Sequence, residues 1–329
     1  MTNLELIAYA KENAMSGKNL DRESIIQLLS ISPDSPECEA LGKAAREVSS
    51  IIIGDKAYIS GSIGVDFTPC SMNCEFCSLG EKWGIVQKEV KYTDDEIIDK
   101  VKQFVEVGAS RITLRTTEFY SPEILGVLAK KVKKNIPGKY ELVLNIGEFD
   151  LETANRLAEF GVDCIYHTLR LGEGKNTKFA IADRLATMQA VKDSPLKLNF
   201  CVEPLGIEHS NEEIADRFLL GCEYGATRIG SMARVPVKGT PLADLPQISE
   251  RRLAQITAVI RLASGTGDVS VHPPCEQAVA WGCNSLCIEI GANPRDTEYV
   301  PDSEWKHFTA MQAKAWFEKY GYKFCNKNE

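Results

Sequence analysis

Three cysteines lie close together in TPCSMNCEFCSLG, residues 68–80. Cys70, Cys74 and Cys77 have C-x3-C-x2-C spacing, whereas a tetrahedral structural zinc site takes four protein ligands. Thiolates at this spacing bind three corners of a cubane iron–sulfur cluster, and the fourth iron is then open to chelate a small molecule. The flanking residues are polar and turn-forming, so backbone amides can hydrogen-bond to cluster sulfurs. The alternative is a zinc site completed by Cys38 or by a histidine.

Composition excludes several classes of protein. The 329 residues are 44% hydrophobic and 26% charged, with a net charge of −8. No Lys/Arg-rich block with interleaved aromatics occurs, so we expect no long nucleic acid as a partner. No apolar run approaches the about 18 residues of a membrane span, and the N-terminal residues lack the features of a signal peptide. We therefore expect a cytoplasmic protein without a membrane partner.

The cysteine count favours metal or redox chemistry. The chain has eleven cysteines, which is an odd number, and a cytoplasmic compartment is reducing. Both facts argue against a disulfide framework.

Short β-rich runs alternate with amphipathic helical segments from residue 57 onward. Residues 57–67 form the first predicted strand, and the next helix has Thr93 as its N-cap. A later helix has Pro122 in its first turn, and another ends at Gly161. Six clear strand–helix units and two weaker ones follow one another over roughly 260 residues.

This alternation predicts an α/β fold, a (β/α)8 TIM-type barrel. We expect a single domain overall, with a helical cap over residues 1–55 and the barrel over residues 56–329. In such barrels the active site lies at the carboxyl ends of the strands. The cysteine loop follows the first strand directly and is therefore predicted to lie at that end.

The triad, with Phe76 just before its last cysteine, resembles the signature of the radical S-adenosylmethionine (SAM) enzymes. The resemblance implies a 4Fe-4S cluster whose open iron binds the amino and carboxylate groups of SAM. It also implies reductive cleavage of SAM to a 5′-deoxyadenosyl radical, which abstracts a substrate hydrogen. A ferredoxin or flavodoxin is the implied electron donor, and no catalytic residue beyond the cluster ligands is expected.

Further segments resemble the family's cofactor contacts. In RTTEFY, Glu118 corresponds to the residue that holds the methionine ammonium group, although two threonines replace the family's glycines. HTLRLGEG resembles the stretch that contacts ribose and carboxylate, which makes Arg170 and Glu173 candidates. Arg184 in ADRL resembles an arginine that pairs with the cofactor carboxylate, a role that suits a guanidinium fork.

The segment GSMARVPVKGTPLAD resembles one whose backbone contacts adenine, and it contributes Val235 and Val237 to the implied SAM site. The charged candidates also have a simpler interpretation. Arg170 and Arg184 could instead be solvated surface residues. His167 could be a buried structural histidine or a functional one.

Within this family the resemblance is to the biotin synthase-like branch, which includes hydrogenase maturases and methylornithine synthase. VPVKGTPLAD (235–244) is similar to biotin synthase, and LNIGEF (144–149) is similar to the hydrogenase maturase. Biotin synthase also holds a 2Fe-2S cluster on three cysteines and an arginine. Here Cys201 alone matches, Asn145 stands on the third strand, and the seventh strand has no arginine, so we do not expect that cluster.

A second cysteine trio follows in HPPCEQAVAWGCNSLC. Cys275, Cys283 and Cys287 lie within thirteen residues and close to His272. Free cysteines are often buried for packing alone, but this density predicts an auxiliary 4Fe-4S cluster. Its fourth ligand could be Cys325, Cys38 or a non-protein group.

A barrel of this branch with its own auxiliary cluster suggests sulfur insertion at an unactivated carbon. Two-component lipoyl synthases fit that description, and they act on a protein-bound octanoyl chain. The partners would then be a paralogous radical SAM subunit and a lipoyl-carrier protein or peptide. The alternatives are a rearrangement or maturase enzyme similar to methylornithine synthase or to a hydrogenase maturase, and a non-catalytic iron–sulfur scaffold.

Overall fold

Three helices precede the first strand. The computed structural model describes residues 1–264, 267–291 and 308–326. The helices are α1 (Asn3–Met15), α2 (Arg22–Leu29) and α3 (Pro36–Ile53), and their N-caps are Thr2, Asp21 and Ser35, each accepting a backbone N–H. Gly54 ends α3 in the left-handed conformation, at φ 64°.

Eight parallel strands form the barrel. Each strand pairs with the next along the chain, and the last pairs with the first from Tyr58↔Ser285 to Gly64↔Gly291, which closes the sheet. The TIM-type barrel predicted from the sequence is thus confirmed. Its strands are β1 (Lys56–Gly64), β4 (Arg111–Arg115), β5 (Glu141–Asn145), β6 (Cys164–Tyr166), β7 (Lys197–Leu205), β8 (Arg228–Ala233), β9 (Asp268–His272) and β10 (Ser285–Gly291).

In the described part of the chain, three short strands lie outside the barrel. The end of the predicted first strand is a separate strand, β2 (Asp66–Phe67), which pairs with β3 (Val90–Lys91) in antiparallel fashion. The last strand, β11 (Lys323–Phe324), pairs with the start of β1. The cysteine loop therefore runs between the two strands of a small ribbon at the barrel mouth.

Helices cover the outside of the barrel. Thr93 is the N-cap predicted from the sequence, and it forms a capping box with Glu96; Pro122 lies in a first turn, as predicted. The sequence also predicts a final helix over residues 304–321, which lies partly outside the described residues, and its described part is α11. The helices are α4 (Asp94–Glu106), α5 (Pro122–Asn135), α6 (Leu151–Glu159), α7 (Ile181–Lys192), α8 (Asn211–Glu223), α9 (Glu250–Ser264), α10 (Glu276–Ala280) and α11 (Ala310–Lys319).

Helix α9 differs from the others because it is buried on both sides. It packs on β8 and β9 and is covered by α1 and α3, so all of residues 253–263 are buried. Even Arg261 is enclosed, and its guanidinium donates to the carbonyls of Gly282 and Gly267 and to Asn284 Oδ1. The N-terminal helices thus complete the outer layer around this part of the barrel.

Ion pairs close the lower end of the barrel, where the strands begin. Arg111 Nε lies 2.7 Å from Glu141 Oε2, and its Nη2 lies 2.6 Å from Asp268 Oδ2. Lys197 Nζ lies 2.5 Å from the other oxygen of Glu141. Since this end is closed, a ligand has access to the interior from the opposite end. In the described residues, no helix is long and apolar enough to cross a membrane.

Candidate active site at the barrel mouth

Hydrogen bonds within the chain shape the cysteine loop. The Cys70 N–H donates to Leu79 O at 2.6 Å, and the Cys77 N–H donates to Cys74 O at 3.0 Å. Trp83 Nε1 also donates to Cys74 O, at 3.2 Å. The backbone is therefore folded back on itself on both sides of the triad.

Asn73 fixes the tightest turn of this loop. Its backbone has φ 47°, a left-handed conformation that asparagine tolerates better than most residues. Its side-chain amide donates to Ser71 O at 2.7 Å, and its Oδ1 accepts the Lys82 N–H at 2.9 Å. A polar residue that seemed only turn-forming in the sequence thus holds the middle of the triad loop.

The three thiol-bearing residues of the triad, Cys70, Cys74 and Cys77, line one cavity together with Phe76. Burial raises the pKa of the Cys74 thiol to about 12, while the positive charge of Arg170 acts in the opposite direction. Three thiols on one wall, with the cation of Arg170 acting on Cys74, fit a cubane cluster that takes three thiolates from protein.

A single metal ion has a different requirement, since its ligands must converge on one point. Among the described residues there is no group of three His, Cys, Asp or Glu side chains that could hold one metal ion. Cluster thiolates surround one cluster but bind different iron atoms of it, so they lie farther apart than the ligands of a single ion. Of the two kinds of site that the sequence allows, the cluster fits this geometry.

The cavity runs from the triad into the barrel and encloses about 1500 Å³, including its open mouth. Polar side chains from alternate positions of the strands form its wall, whereas parallel strands buried on both faces are usually continuous apolar runs. The wall includes Ser60, Ser62, Thr113, Arg115, Asn145, Tyr166, Asn199, Cys201, Glu203, Arg228, Ser270, His272, Cys287 and Glu289.

Glu118 lies on the cavity wall directly after β4. The preceding residue, Thr117, is held by Asp66, whose carboxylate accepts the Thr117 N–H at 2.9 Å and its hydroxyl at 2.5 Å. On the other side the backbone passes close to Gly147, where a Cβ atom would lie 2.2 Å from Glu118 O. The position of Glu118 is thus set by a buried carboxylate and by a glycine.

Arg170 also lines the cavity. Its Nε lies 3.6 Å from Glu203 Oε1, and its Nη1 lies 3.7 Å from Glu173 Oε2. Burial alone lowers the pKa of this guanidinium, but the charges of Glu173 and Glu203 outweigh that effect and raise it. Tyr166 donates to Glu203 at 2.5 Å and so holds that carboxylate in place.

Glu173 and Arg184 do not line the cavity but lie behind it. Glu173 accepts the Arg170 N–H at 3.1 Å and the Thr177 hydroxyl at 2.5 Å. Arg184 Nη1 lies 2.8 Å from Glu148 Oε1, and its guanidinium stacks on Phe179 at 3.8 Å from the ring centre. Neither residue is on a solvated surface.

His167 belongs to the same buried cluster. Its Nε2 lies 3.3 Å from Glu148 Oε2, and burial lowers the pKa of the imidazole. Burial by itself would raise the pKa of Glu148, but the nearby His167 and Arg184 outweigh it and hold that pKa at about 2. This arrangement favours the structural interpretation of His167 over the functional one.

The segment predicted to contact adenine is fixed by one arginine. Arg234 Nε and Nη2 contact the two oxygens of Glu208 at 3.0 and 3.1 Å, and its Nη1 donates to Leu242 O at 3.1 Å. Val235 lines the cavity, whereas Val237 is buried at 3% exposure and is not in the cavity wall.

The structure separates the second cysteine trio. Cys275 lies outside the barrel, where its thiol contacts Glu250 O, and Cys283 is fully buried with its thiol against Val269 O and Ser285 O. Cys287 alone of the three lines the cavity. The auxiliary cluster predicted on all three is therefore not confirmed, because the three thiols contact different parts of the molecule.

The two cysteines considered as the fourth ligand of the auxiliary cluster do not join the second trio in one site either. Cys38 is fully buried within α3, and Cys325 follows β11 beside the start of β1, with its thiol near Lys323 O. Neither residue is in the cavity wall.

The sequence did not lead us to predict the polar wall of the cavity or the role of Asp66 in holding Thr117. A signal for the wall was present, because Asn199, Cys201 and Glu203 alternate along one strand, and Ser270 and His272 along another. Polar residues at period two in a buried strand indicate that one face meets a cavity. Asp66 gave no such signal, since its partner is 51 residues away in the chain.

Comparison with known proteins gives sequence relatives. No protein-family model matches the chain. A biotin synthase from Persephonella marina is 26% identical over 267 residues, which is 76% of each chain. The FeFe hydrogenase maturase subunit HydE from Thermotoga maritima is 29% identical over 297 residues, which is 86% of this chain and 82% of that protein.

Solved structures share the fold. Methylornithine synthase (PylB) superposes with a TM-score of 0.81 at 17% identity and covers 97% of this chain and 98% of its own. The maturase HydG gives 0.74 at 16% identity, over 91% and 73% of the two chains. These relatives do not support a lipoyl synthase subunit. In sequence the chain is thus similar to biotin synthases and to the hydrogenase maturase subunit HydE over most of its length, and its fold is that of methylornithine synthase (PylB).

Proposed function

We propose that this enzyme acts on a small molecule enclosed in the barrel and carries out rearrangement or maturase-type chemistry. The observation that carries the proposal is the cavity itself, which begins at the triad and continues between the strands. A molecule held there is surrounded by side chains on all sides and lies beside the site of radical formation. The hydrogenase maturase relative supports this choice.

Cys70, Cys74 and Cys77 are the residues that would hold the 4Fe-4S cluster. When bound, the cluster and SAM together supply a 5′-deoxyadenosyl radical that abstracts hydrogen from the substrate. The chain's own contribution is a rigid loop: the hydrogen bonds of Asn73 and Trp83 fix the backbone between the thiols.

Two charged residues on the cavity wall would bind SAM. Glu118 supplies a carboxylate for the methionine ammonium group, and Arg170 supplies a guanidinium for the SAM carboxylate or ribose. Both are positioned from outside the cavity, Glu118 through Asp66 and Arg170 through Glu203.

Glu173 and Arg184 act in this proposal through their neighbours and not by contact with SAM. Glu173 accepts the Arg170 N–H and lies 3.4 Å from Arg184 Nε. The guanidinium of Arg184 supports the ring of Phe179, which lines the cavity. Val235 supplies the backbone for adenine, on a segment that Arg234 holds.

Sulfur insertion of the lipoyl synthase type has less support. It needs a sulfide source beside the substrate, and the cysteines predicted to hold one are apart in the described structure. A substrate on a carrier protein would also have to enter the barrel from outside.

The proposal is tested by anaerobic reconstitution with iron and sulfide, followed by addition of a reductant and SAM. We expect release of 5′-deoxyadenosine, and we expect Cys74→Ala to abolish it. Cys222→Ala is the matched control, since Cys222 lies on α8 and has no part in the cavity wall. Equal activity of Cys74→Ala and the parent would contradict radical chemistry at this triad.

A second experiment separates the two reaction types. The enzyme is incubated with an octanoylated carrier peptide, and the peptide mass is analysed for added sulfur. We expect no sulfur to be added. Incorporation of sulfur would overturn the proposed reaction class and favour the lipoyl synthase type.

A further inference from the structure

A thiol and a phenol lie side by side in the wall of the cavity. Cys201 is on β7, Tyr166 is on the neighbouring strand β6, and both line the cavity. The Tyr166 hydroxyl donates to Glu203 at 2.5 Å, and the phenol also acts on the Cys201 thiol as a hydrogen-bond partner. Because S–H and phenolic O–H bonds are among the weakest bonds to hydrogen in protein side chains, the pair is suited to one-electron chemistry.

The backbone of Cys201 is fixed, and the space in front of its thiol is open. The Thr168 hydroxyl donates to Cys201 O at 2.6 Å, and Cys201 pairs with Gly230 of β8. A Cβ atom on Gly230 would lie 3.4 Å from Cys201 Sγ and 2.5 Å from Ser270 Oγ. Since Gly230 has no side chain, the space between Cys201 and Ser270 stays open. The thiol therefore borders the cavity, although Cys201 is only 4% exposed.

The surroundings of Cys201 keep its thiol protonated. Burial, and next the charge of Glu203, raise the pKa of this thiol well above its ordinary value. The hydrogen bond with Tyr166 and the positive charge of Arg228 act in the opposite direction but do not outweigh them. A nucleophile or a metal ligand requires the thiolate, whereas donation of a hydrogen atom requires an intact S–H bond. The site favours the second role.

Cys201 lies just below the layer of residues that borders the triad. Glu203 is two residues further along β7, about 7 Å nearer to the mouth. Its Oε1 lies 3.6 Å from Arg170 Nε, and the charge of Arg170 acts on Cys74 of the triad. A molecule held in the cavity beneath the triad therefore has the Cys201 thiol beside it.

We propose that Cys201 donates a hydrogen atom to a carbon radical formed in the cavity. The inference rests on the proposed function, because that function supplies the radical. The S–H bond breaks and a C–H bond forms, so the carbon radical is reduced and the sulfur is left as a thiyl radical. An S–H bond is weaker than an aliphatic C–H bond, which makes the transfer favourable. An electron from the ferredoxin- or flavodoxin-type donor that reduces the cluster, together with a proton from water, restores the thiol.

The first test needs no turnover. Hydroxyl radicals produced by radiolysis of water are small enough to enter the cavity, and they oxidise the thiols that they reach. In reconstituted protein without SAM or reductant, we expect oxidation of Cys201, measured by mass analysis of its peptide. Cys283 and Cys38 should be protected, because both are 0% exposed. Protection of Cys201 equal to that of Cys283 would overturn the proposal.

The second test uses the 5′-deoxyadenosyl radical itself as the probe. Reconstituted enzyme is given SAM and titanium(III) citrate in heavy water without a substrate, and the mass of the released 5′-deoxyadenosine is analysed. A thiol exchanges its hydrogen with heavy water, whereas carbon-bound hydrogens do not. A hydrogen atom taken from Cys201 therefore arrives as deuterium, and we expect the wild-type product to carry it.

Variants identify the thiol. Cys201→Ser should remove the deuterium, since an alcohol O–H bond is too strong to donate a hydrogen atom. Cys164→Ser is the matched control and should leave the deuterium unchanged, because Cys164 is also 4% exposed on a barrel strand but is not part of the cavity wall. Unchanged deuterium in Cys201→Ser, or its loss in Cys287→Ser instead, would overturn the assignment. Should Cys201→Ser fail to fold, as judged by its melting temperature, the same criterion applies to Cys201→Ala.

The two tests separate this inference from the proposed function. If no 5′-deoxyadenosine is released while hydroxyl radicals oxidise Cys201, the proposed function fails and only the accessibility of the thiol stands. If 5′-deoxyadenosine is released and its deuterium content does not depend on Cys201, the proposed function stands and the role of Cys201 fails.

Discussion

Replacement of Asp66 by alanine tests how the barrel holds Glu118, the carboxylate that is proposed to bind SAM. Asp66 is 6% exposed and belongs to the short ribbon beside the cysteine loop. Its role is indirect, since it accepts two hydrogen bonds from Thr117, and the next residue is Glu118. We expect Asp66→Ala to weaken SAM binding while the cluster remains in place.

The size of the effect follows from the two bonds. A hydrogen bond to a charged group contributes about 1.5–3 kcal/mol, and the Thr117 N–H is left unsatisfied in a buried site. If Glu118 is then no longer held in place and SAM binding loses about 2 kcal/mol, the affinity for SAM falls about 30-fold. Thr117→Val removes the hydroxyl bond but keeps the N–H bond, so its effect should be about tenfold or less. Asp66→Asn keeps an acceptor for the N–H and should resemble Thr117→Val.

The assay is equilibrium dialysis of SAM against anaerobically reconstituted protein, with iron content measured on the same samples. The double variant Asp66→Ala/Thr117→Val should bind SAM no more weakly than Asp66→Ala alone, because both changes break the same contact. Unchanged SAM affinity in Asp66→Ala, with normal iron content and melting temperature, would refute this role of Asp66. Loss of iron in that variant would show that Asp66 acts on the cysteine loop instead.

Three further outcomes are expected. The triple variant Cys70/Cys74/Cys77→Ala should contain no iron–sulfur cluster by iron analysis; retention of roughly four irons per chain would restore the auxiliary cluster. Gly80→Ala should slow cluster reconstitution, followed by absorbance, because the added Cβ would lie 2.2 Å from the neighbouring indole nitrogen. Folding lowers the pKa of Glu148 from 4.5 to about 2, which corresponds to at most about 3 kcal/mol of stability. This stability is present above pH 4.5 and is lost as the pH falls toward 2, so the melting-temperature difference between wild type and Glu148→Gln should shrink over that interval and not above it.

The fold could be predicted from the sequence because its signals are local. N-caps such as Thr93, first-turn prolines such as Pro122 and the alternation of strands with helices all act over a few residues. The split of the first predicted strand into β1 and β2 could not be predicted in this way, because it depends on pairing with Val90 and Lys91, more than twenty residues further on.

The site was only partly predictable, and the reason is again distance along the chain. The triad, Phe76, Glu118 and Arg170 follow strand ends, so the barrel topology alone brings them to one mouth. Glu173 and Arg184 are charged residues that follow the same strand, β6, in the sequence. Spacing along the sequence does not tell whether such a residue contacts a ligand or another side chain. In the structure Arg184 forms ion pairs with Glu148 and with Glu173.

The second cysteine trio shows that residues close together in the sequence need not share a site in the structure. Cys283 and Cys287 are four residues apart, but Cys283 precedes β10 and packs its thiol against Val269 O and Ser285 O, whereas Cys287 is on β10 and lines the cavity. Cysteines brought together by a compact loop, as at the triad, can share a cluster; cysteines spread along and beyond an extended strand are held apart by its geometry. Cys287 is on β10, and its side chain lies inside the barrel, where Arg228 also lines the cavity. Thiols therefore occur at two heights in the barrel: the three of the triad lie at the mouth and suit cofactor binding, whereas those of Cys201 and Cys287 belong to the cavity wall between the strands.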